Sequence, residues 1–94
     1  MNFNTGNPIP ELLRNALNDV LEKRDYSIIS IQDGMASEST IRDLLRGSKI
    51  TEHSKETVHE MVRHATEKCD GLIRSYIRLK STINHYKTKE SAFS

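Results

Sequence analysis

A short polar stretch around residues 37–49 carries the side chains best suited to binding another molecule. Arg42 and Arg46 are four residues apart, so on a helix their guanidinium groups lie on one face. A guanidinium can donate two hydrogen bonds to the edge of a guanine, which contributes about 1–3 kcal/mol of base discrimination. Neighbouring hydroxyl groups can bind base edges or phosphates. The candidate DNA-contacting residues are Ser37, Glu38, Ser39, Thr40, Arg42, Asp43, Arg46 and Lys49.

Within this set Arg42 is the best candidate for reading a base, while Arg46 and Lys49 suit contacts with phosphates. The alternative for Arg42 is an ordinary surface pair with Glu38, four residues earlier on the same helix. Glu38 and Asp43 also repel phosphates, so the stretch is not a general basic patch. Binding would therefore depend on a few specific contacts.

The sequence His59-Glu60-Met61-Val62-Arg63-His64 resembles the zinc-protease pattern H-E-x-x-H but contains one residue more. Histidines five apart point about 140° away from each other around a helix, so they cannot grip one metal ion. Cys69, five residues after His64, does not bring three metal-binding side chains onto one face of the helix. We expect no metal and no other cofactor here, and two solvated histidines. The chain also lacks a glycine-rich phosphate loop and a nucleophile elbow, so we do not expect an enzyme.

The polar stretch falls inside a predicted helix-turn-helix at about residues 27–47. Ser27 can cap a short helix that runs through Asp33, and Gly34 can supply the turn. Ser37 or Ser39 then caps a second helix, which should run to Arg46 and stop at Gly47. A core helix from Pro10 to about Arg24 precedes this unit. Its apolar stripe consists of Ile9, Leu12, Leu13, Ala16, Leu17, Val20 and Leu21.

The C-terminal third of the chain carries a second stripe, with spacings that alternate between four and three. Its members are Val58, Val62, Ala65, Cys69, Leu72, Tyr76, Leu79, Ile83 and Tyr86. This spacing is typical of a helix that pairs with another helix. Asp70-Gly71 is a helix-breaking pair, so either one continuous helix or two helices can be drawn. The residues predicted to mediate dimerisation are Val62, Cys69, Leu72, Tyr76, Leu79 and Ile83.

Length and composition indicate one small all-α domain. The chain has 94 residues, of which 35% are hydrophobic, and its two prolines lie at positions 8 and 10. We expect a flexible arm at 1–8, a helical core at 10–54, an oligomerisation helix or helix pair at 55–88, and a tail at 89–94. No apolar run is long enough for a membrane span, and a single cysteine agrees with the cytoplasm.

At this point the chain resembles the Xre/Cro/lambda-repressor family of helix-turn-helix proteins. The resemblance rests on Ser39-Thr40-Ile41-Arg42-Asp43-Leu44-Leu45-Arg46-Gly47, followed after a loop by Glu56-Thr57-Val58-His59-Glu60-Met61-Val62. It implies that Ile41 is the buried residue of the recognition helix, that Ile29-Ser30 is the apolar-small pair of the preceding helix, and that Gly34 is the turn glycine. The chain departs from the family by one extra residue between Gly34 and Ile41.

The resemblance implies a dimeric transcription regulator, a repressor or an activator, of a phage or mobile element. Double-stranded DNA would be its partner, through an inverted-repeat operator whose half-sites lie roughly 34 Å apart, one turn of DNA. A homodimer is expected and a tetramer is possible. The alternative is a helical module that binds and modulates a larger partner protein through residues 56–88. A net charge of only +1 favours that alternative.

Overall fold

The computed structural model describes the backbone of residues 2–93 and the side chains of residues 2–87. Its helices are α1 (Glu11–Val20), α2 (Lys23–Ser30), α3 (Glu38–Arg46) and α4 (Lys55–Phe93). The expected all-α fold with a long C-terminal helix is therefore confirmed. At about 1.5 Å per residue α4 is roughly 58 Å long, and it accounts for the molecule's extents of 64 × 26 × 20 Å.

The boundary between the first two helices differs from the prediction. α1 was expected to continue to about residue 24, but Leu21 is extended (φ −82°, ψ 130°) and α2 begins at Lys23. The reason is local, because the Asp25 carboxylate accepts a hydrogen bond from the backbone N–H of Glu22 at 2.8 Å and so caps the new helix. The prediction that Ser27 caps this helix is therefore wrong, since Ser27 lies inside α2, and α2 ends at Ser30 rather than at residue 33.

α3 ends at Arg46 as predicted, and of the two candidate caps, Ser37 and Ser39, the structure uses Ser37. Ser37 caps it by accepting a hydrogen bond from the backbone N–H of Thr40, and Gly47 closes it in the left-handed conformation with φ 111°. Gly34, in the segment before Ser37, also has a positive φ of 79°. Gly34, predicted at the turn, and Gly47, predicted at the helix end, thus occupy backbone conformations that other residues rarely adopt.

The core lies between α1, α2, α3 and the first half of α4. Its buried apolar residues are Phe3, Ile9, Leu17, Leu21, Ile29, Ile41, Leu44, Leu45, Ile50, Val58, Met61 and Ala65. The predicted stripe of α1 is too broad, since Leu12 is 87% exposed and Ala16 is also exposed. α1 is only 10 residues long and meets its neighbours along one narrow face, so the flank of its apolar stripe stays in solvent.

The N-terminal segment, expected to be a flexible arm, packs on the domain instead. Phe3 is buried, with its ring centroid 5.0 Å from that of His59. The backbone N–H of Gly6 donates to the carbonyl of Ile50, and the N–H of Ile50 donates to the carbonyl of Asn7. These contacts hold the described part of the arm, because they bury an aromatic ring and pair backbone groups that would otherwise face solvent.

A buried carboxylate joins three of the helices. Asp25 on α2 accepts a hydrogen bond from Lys68 Nζ at 2.7 Å, and His64 Nε2 lies 2.9 Å from its other oxygen. Lys68 also donates to the carbonyl of Val20, the last residue of α1. Burial alone would raise the pKa of Asp25, but the hydrogen bonds from Lys68, the Glu22 N–H and His64 outweigh it and lower the pKa to about 2.

Helix α4 is continuous through Gly71, which settles the alternative left open by the sequence. It also extends past the predicted end at residue 88 as far as Phe93. Of the predicted tail at 89–94, Ser94 and the side chains of residues 89–93 lie outside the described residues. No heavy atom outside the local helix lies within 4 Å of a Cβ added at Gly71. Gly71 is tolerated because the helical turns before and after it keep its backbone in the helical conformation.

The Asp25 network should make stability depend on acid pH. A folded-state pKa lowered from 3.8 to about 2 stabilises the fold by about 2 kcal/mol above pH 4, and this stabilisation is lost as pH falls toward 2. We therefore expect Asp25→Asn to destabilise the protein most at neutral pH and progressively less between pH 4 and pH 2. Urea denaturation across this range measures the difference, with the exposed Asp19→Asn as control. An equal loss at every pH would contradict the assignment.

The two helix glycines should respond to alanine in opposite directions. Gly47→Ala places a Cβ in the left-handed conformation and 3.1 Å from Arg14 Nη1, so we expect a loss of about 1–2 kcal/mol. Gly71→Ala removes a poor helix former at an open position, so we expect a gain of up to about 1 kcal/mol. Denaturation midpoints of the two variants test this, and a destabilised Gly71→Ala protein would mean that the position is crowded.

Candidate nucleic-acid interface

The outer face of α3 is exposed and largely unengaged. Ser39, Asp43 and Arg46 are exposed, and Arg42 is partly exposed. Among the described residues, the side chains of Arg42, Arg46 and Lys49 have no hydrogen-bond or ion-pair partner. Their full donor capacity is therefore directed to solvent, as a contact with bases or phosphates requires.

The predicted surface pair between Glu38 and Arg42 does not form. The Glu38 carboxylate instead accepts a hydrogen bond from Ser27 Oγ on α2 at 2.5 Å. Glu38 is therefore occupied in joining α2 to α3, and Ser37 is occupied as the cap of α3. Of the residues expected to contact DNA, these two have structural partners, and Thr40 is hydrogen-bonded to Ser37.

Two further contacts hold α3 from outside the predicted site. Asn18 on α1 donates its side-chain amide to the carbonyl of Leu45 at 2.9 Å. Thr57 on α4 accepts a hydrogen bond from the backbone N–H of Ala36 at 2.9 Å, just before α3 begins. Neither residue is among the candidates predicted from the sequence. No pattern within a single helix signals these contacts, because each joins elements far apart in the sequence.

The segment between α2 and α3 is longer than in a tight helix-turn-helix. Residues 31–37 join the two helices, against the three or four residues that are usual. Gln32 anchors this segment by donating to Glu60 on α4 at 3.2 Å. The structure therefore has two adjacent short helices with a fixed connection that is three or four residues longer than usual, whereas the sequence indicated one extra residue.

The two histidines of the zinc-like pattern serve separate packing roles. His59 contacts the ring of Phe3, and His64 contacts the Asp25 carboxylate. Both are partly buried, so the expectation of solvated side chains is wrong for each. Within the described residues no group of three or more metal-ligating side chains comes together.

The predicted dimerisation stripe divides into a covered half and a bare half. Val58 and Ala65 are buried against the protein's own core, and Val62 and Cys69 are partly buried. From Leu72 onward the same stripe is exposed, with fractional exposures of 42% at Leu72, 65% at Tyr76, 57% at Leu79 and 43% at Ile83. The tertiary fold therefore leaves four of the six predicted residues free for a partner.

A shallow apolar groove lies where the bare half of α4 begins. Its volume is about 250 Å³, and its lining residues from α1 and α4 are Leu13, Ala16, Leu17, Val20, Val62, Ala65, Thr66, Cys69 and Asp70. Beyond it, residues 71–87 include Arg74, Arg78, Lys80 and Lys87 but no acidic residue. None of these four cations has an ion-pair partner in the described part of the chain.

Among the described helices none is long and apolar enough to span a membrane.

Comparisons with known proteins add no relative. No family model, no curated protein and no solved structure matches this chain.

Proposed function

We propose that the protein is a sequence-specific DNA-binding transcription regulator, a repressor or activator of the phage or mobile-element type, which acts in the cytoplasm. α3 is its recognition helix, and a dimer formed through α4 presents two such helices to an inverted-repeat operator. No enzymatic step is needed for this role, because occupying a promoter is sufficient to repress it or to recruit a partner.

The observation that carries the proposal is the outer face of α3. Arg42 and Arg46 lie on that face with unused donors, and Ser39 supplies an exposed hydroxyl about one turn before Arg42. The helix behind them is fixed by hydrogen bonds from α1, α2 and α4. Reading bases in the major groove requires a fixed helix with free guanidinium groups, because a misplaced donor distinguishes the correct base from other bases less well.

The test of this function is selection of DNA fragments on the purified protein. Random duplexes are incubated with the protein at low salt, and the bound pool is sequenced. Recovery of a shared inverted repeat is the expected result, because a two-fold dimer reads the same half-site twice. A bound pool indistinguishable from the input, obtained with folded protein, would refute the DNA-binding proposal.

Replacing Arg42 and replacing Lys49 by alanine should weaken DNA binding in different ways. Arg42→Ala should weaken binding to the selected site by about 1–3 kcal/mol and relax preference at one base position. Lys49→Ala should weaken all sequences alike and reduce the salt slope by about 1, because it removes one phosphate contact. Fluorescence anisotropy against matched and mismatched duplexes at several salt concentrations separates the two effects.

The matched control is Arg63→Ala on α4. Arg63 is also an exposed arginine, but Glu60 and Glu67 already neutralise it, and we expect its loss to leave DNA affinity unchanged. Equal loss of base preference from Arg42→Ala and Lys49→Ala would overturn the roles assigned to them.

A second candidate function is a helical module that binds a larger protein. The bare apolar stripe on residues 72–86 favours it, because such a surface is typical of a helix that docks on a partner. The salt dependence of DNA binding discriminates the two candidates. A steep fall in affinity with salt together with sequence preference supports the regulator, whereas a folded protein without DNA preference supports the module.

A further inference from the structure

We propose that two copies of this chain pair through the bare halves of α4 in the antiparallel orientation, with the two-fold axis at Leu79. The inference rests on the dimer of the proposed function and specifies its geometry. Its starting point is that one face of α4 performs two tasks. Val58 and Ala65 use that face to close the domain, while Leu72, Tyr76 and Leu79 leave it exposed further along.

The covered half of the stripe limits a parallel pair. In a full-length parallel, in-register pair the second helix would run along the whole stripe of the first, including residues 58–69. There α1 and α2 of the same chain already pack against α4. A parallel pair would therefore be confined to residues 72 onward, and its two helices would have to diverge before they reach the domains.

The antiparallel orientation removes this conflict. With the axis at Leu79, Leu72 faces Tyr86 of the second copy, and Tyr76 lies level with its Thr82, one residue away from its Ile83. Each tyrosine then packs against an aliphatic side chain, and Leu79 packs against its own equivalent. Most of the second copy's domain lies beyond the C-terminal end of the first helix, and only residues 88–93 of that helix come level with residues 65–70 of the domain.

The same register explains the groove between α1 and α4. The helical backbone of residues 88–93 from one copy ends level with residues 65–70 of the other, where the groove opens. Lys87 comes level with Gly71 of the second copy. Arg74 and Arg78 fall on the opposite side of the helix from the stripe and point away from the pair.

The size of the bare surface suits a stable dimer. Five large apolar side chains of the stripe are 42–65% exposed: Leu72, Tyr76, Leu79, Ile83 and Tyr86. Together they expose on the order of 500 Å² per chain. Covering them in both copies buries about 1,000 Å² in total, which is the lower limit for a specific protein–protein interface.

The antiparallel pair also sets the distance between the two domains. The half of α4 that carries the domain, residues 55–71, has its midpoint at Arg63. Two such midpoints lie about 48 Å apart along the pair at 1.5 Å per residue. The register of the helices, rather than a fixed spacing of one DNA turn, therefore determines how far apart the half-sites of an operator lie.

Cysteine cross-linking tests the orientation. In a Cys69→Ala background, Leu72→Cys and Tyr86→Cys are introduced separately, oxidised alone and as an equal mixture, and analysed on a non-reducing gel. The expected result is cross-linked dimer in the mixture and only monomer in each variant alone, because a disulfide requires Cα atoms less than about 7 Å apart. Cross-linked dimer from each variant alone would mean a parallel pair and would overturn the proposal.

Leu79→Cys in the same background is the matched control, since residue 79 meets its own equivalent at the proposed axis. It should cross-link with itself, and the full-length protein should have the mass of a dimer by light scattering. A monomeric mass with no cross-link at position 79 would also overturn the proposal. DNA selection is read independently, so a monomer that still selects a sequence would leave the DNA-binding function standing without this dimer.

Discussion

Much of this architecture follows from the difference in length between α4 and the helices that cover it. α4 has 39 residues, whereas α1 and α2 have 10 and 8. Two helices of about 15 Å or less cannot shield an apolar stripe on a helix roughly 58 Å long. The domain therefore forms around the first half of α4 and leaves the second half uncovered. Both the compact core and the exposed pairing surface are consequences of this one constraint.

Within the covered half, a charged group rather than an apolar one fixes how the helices meet. Asp25 is buried and is held by Lys68 and His64 of α4, while Lys68 also reaches the end of α1. A buried carboxylate is tolerated only with such partners, and its partners can be in place only when α1, α2 and α4 have one relative position. The network thus adds specificity to a core that apolar packing alone would leave adjustable.

The position of α3 depends on that framework. Its buried face is apolar, but its lengthwise position is held by polar contacts at both ends, from Asn18 at the C-terminal end and Thr57 just before the N-terminal end. Ser27 and Glu38 tie its first turn to α2. Contacts of this kind turn an amphipathic helix into a helix with a defined outer face. The backbone positions of Arg42 and Arg46 are therefore fixed, although their side chains make no intramolecular hydrogen bond or ion pair.

The sequence by itself determined the features that depend on local chemistry. The absence of proline after position 10 indicated the all-α class. The glycine at position 47 predicted the end of α3, and the serines at 37 and 39 limited its start to two positions, because caps and glycines act within one turn. The spacing of the stripe on α4 likewise identified the helix face that is apolar. Only the tertiary structure decided which half of that stripe the domain covers. It also decided that α4 continues through Gly71, that α2 begins at Lys23, and that Glu38 contacts Ser27 rather than Arg42. These outcomes depend on partners distant in the sequence, and helical periodicity repeats identically whether a face meets its own core or a second molecule.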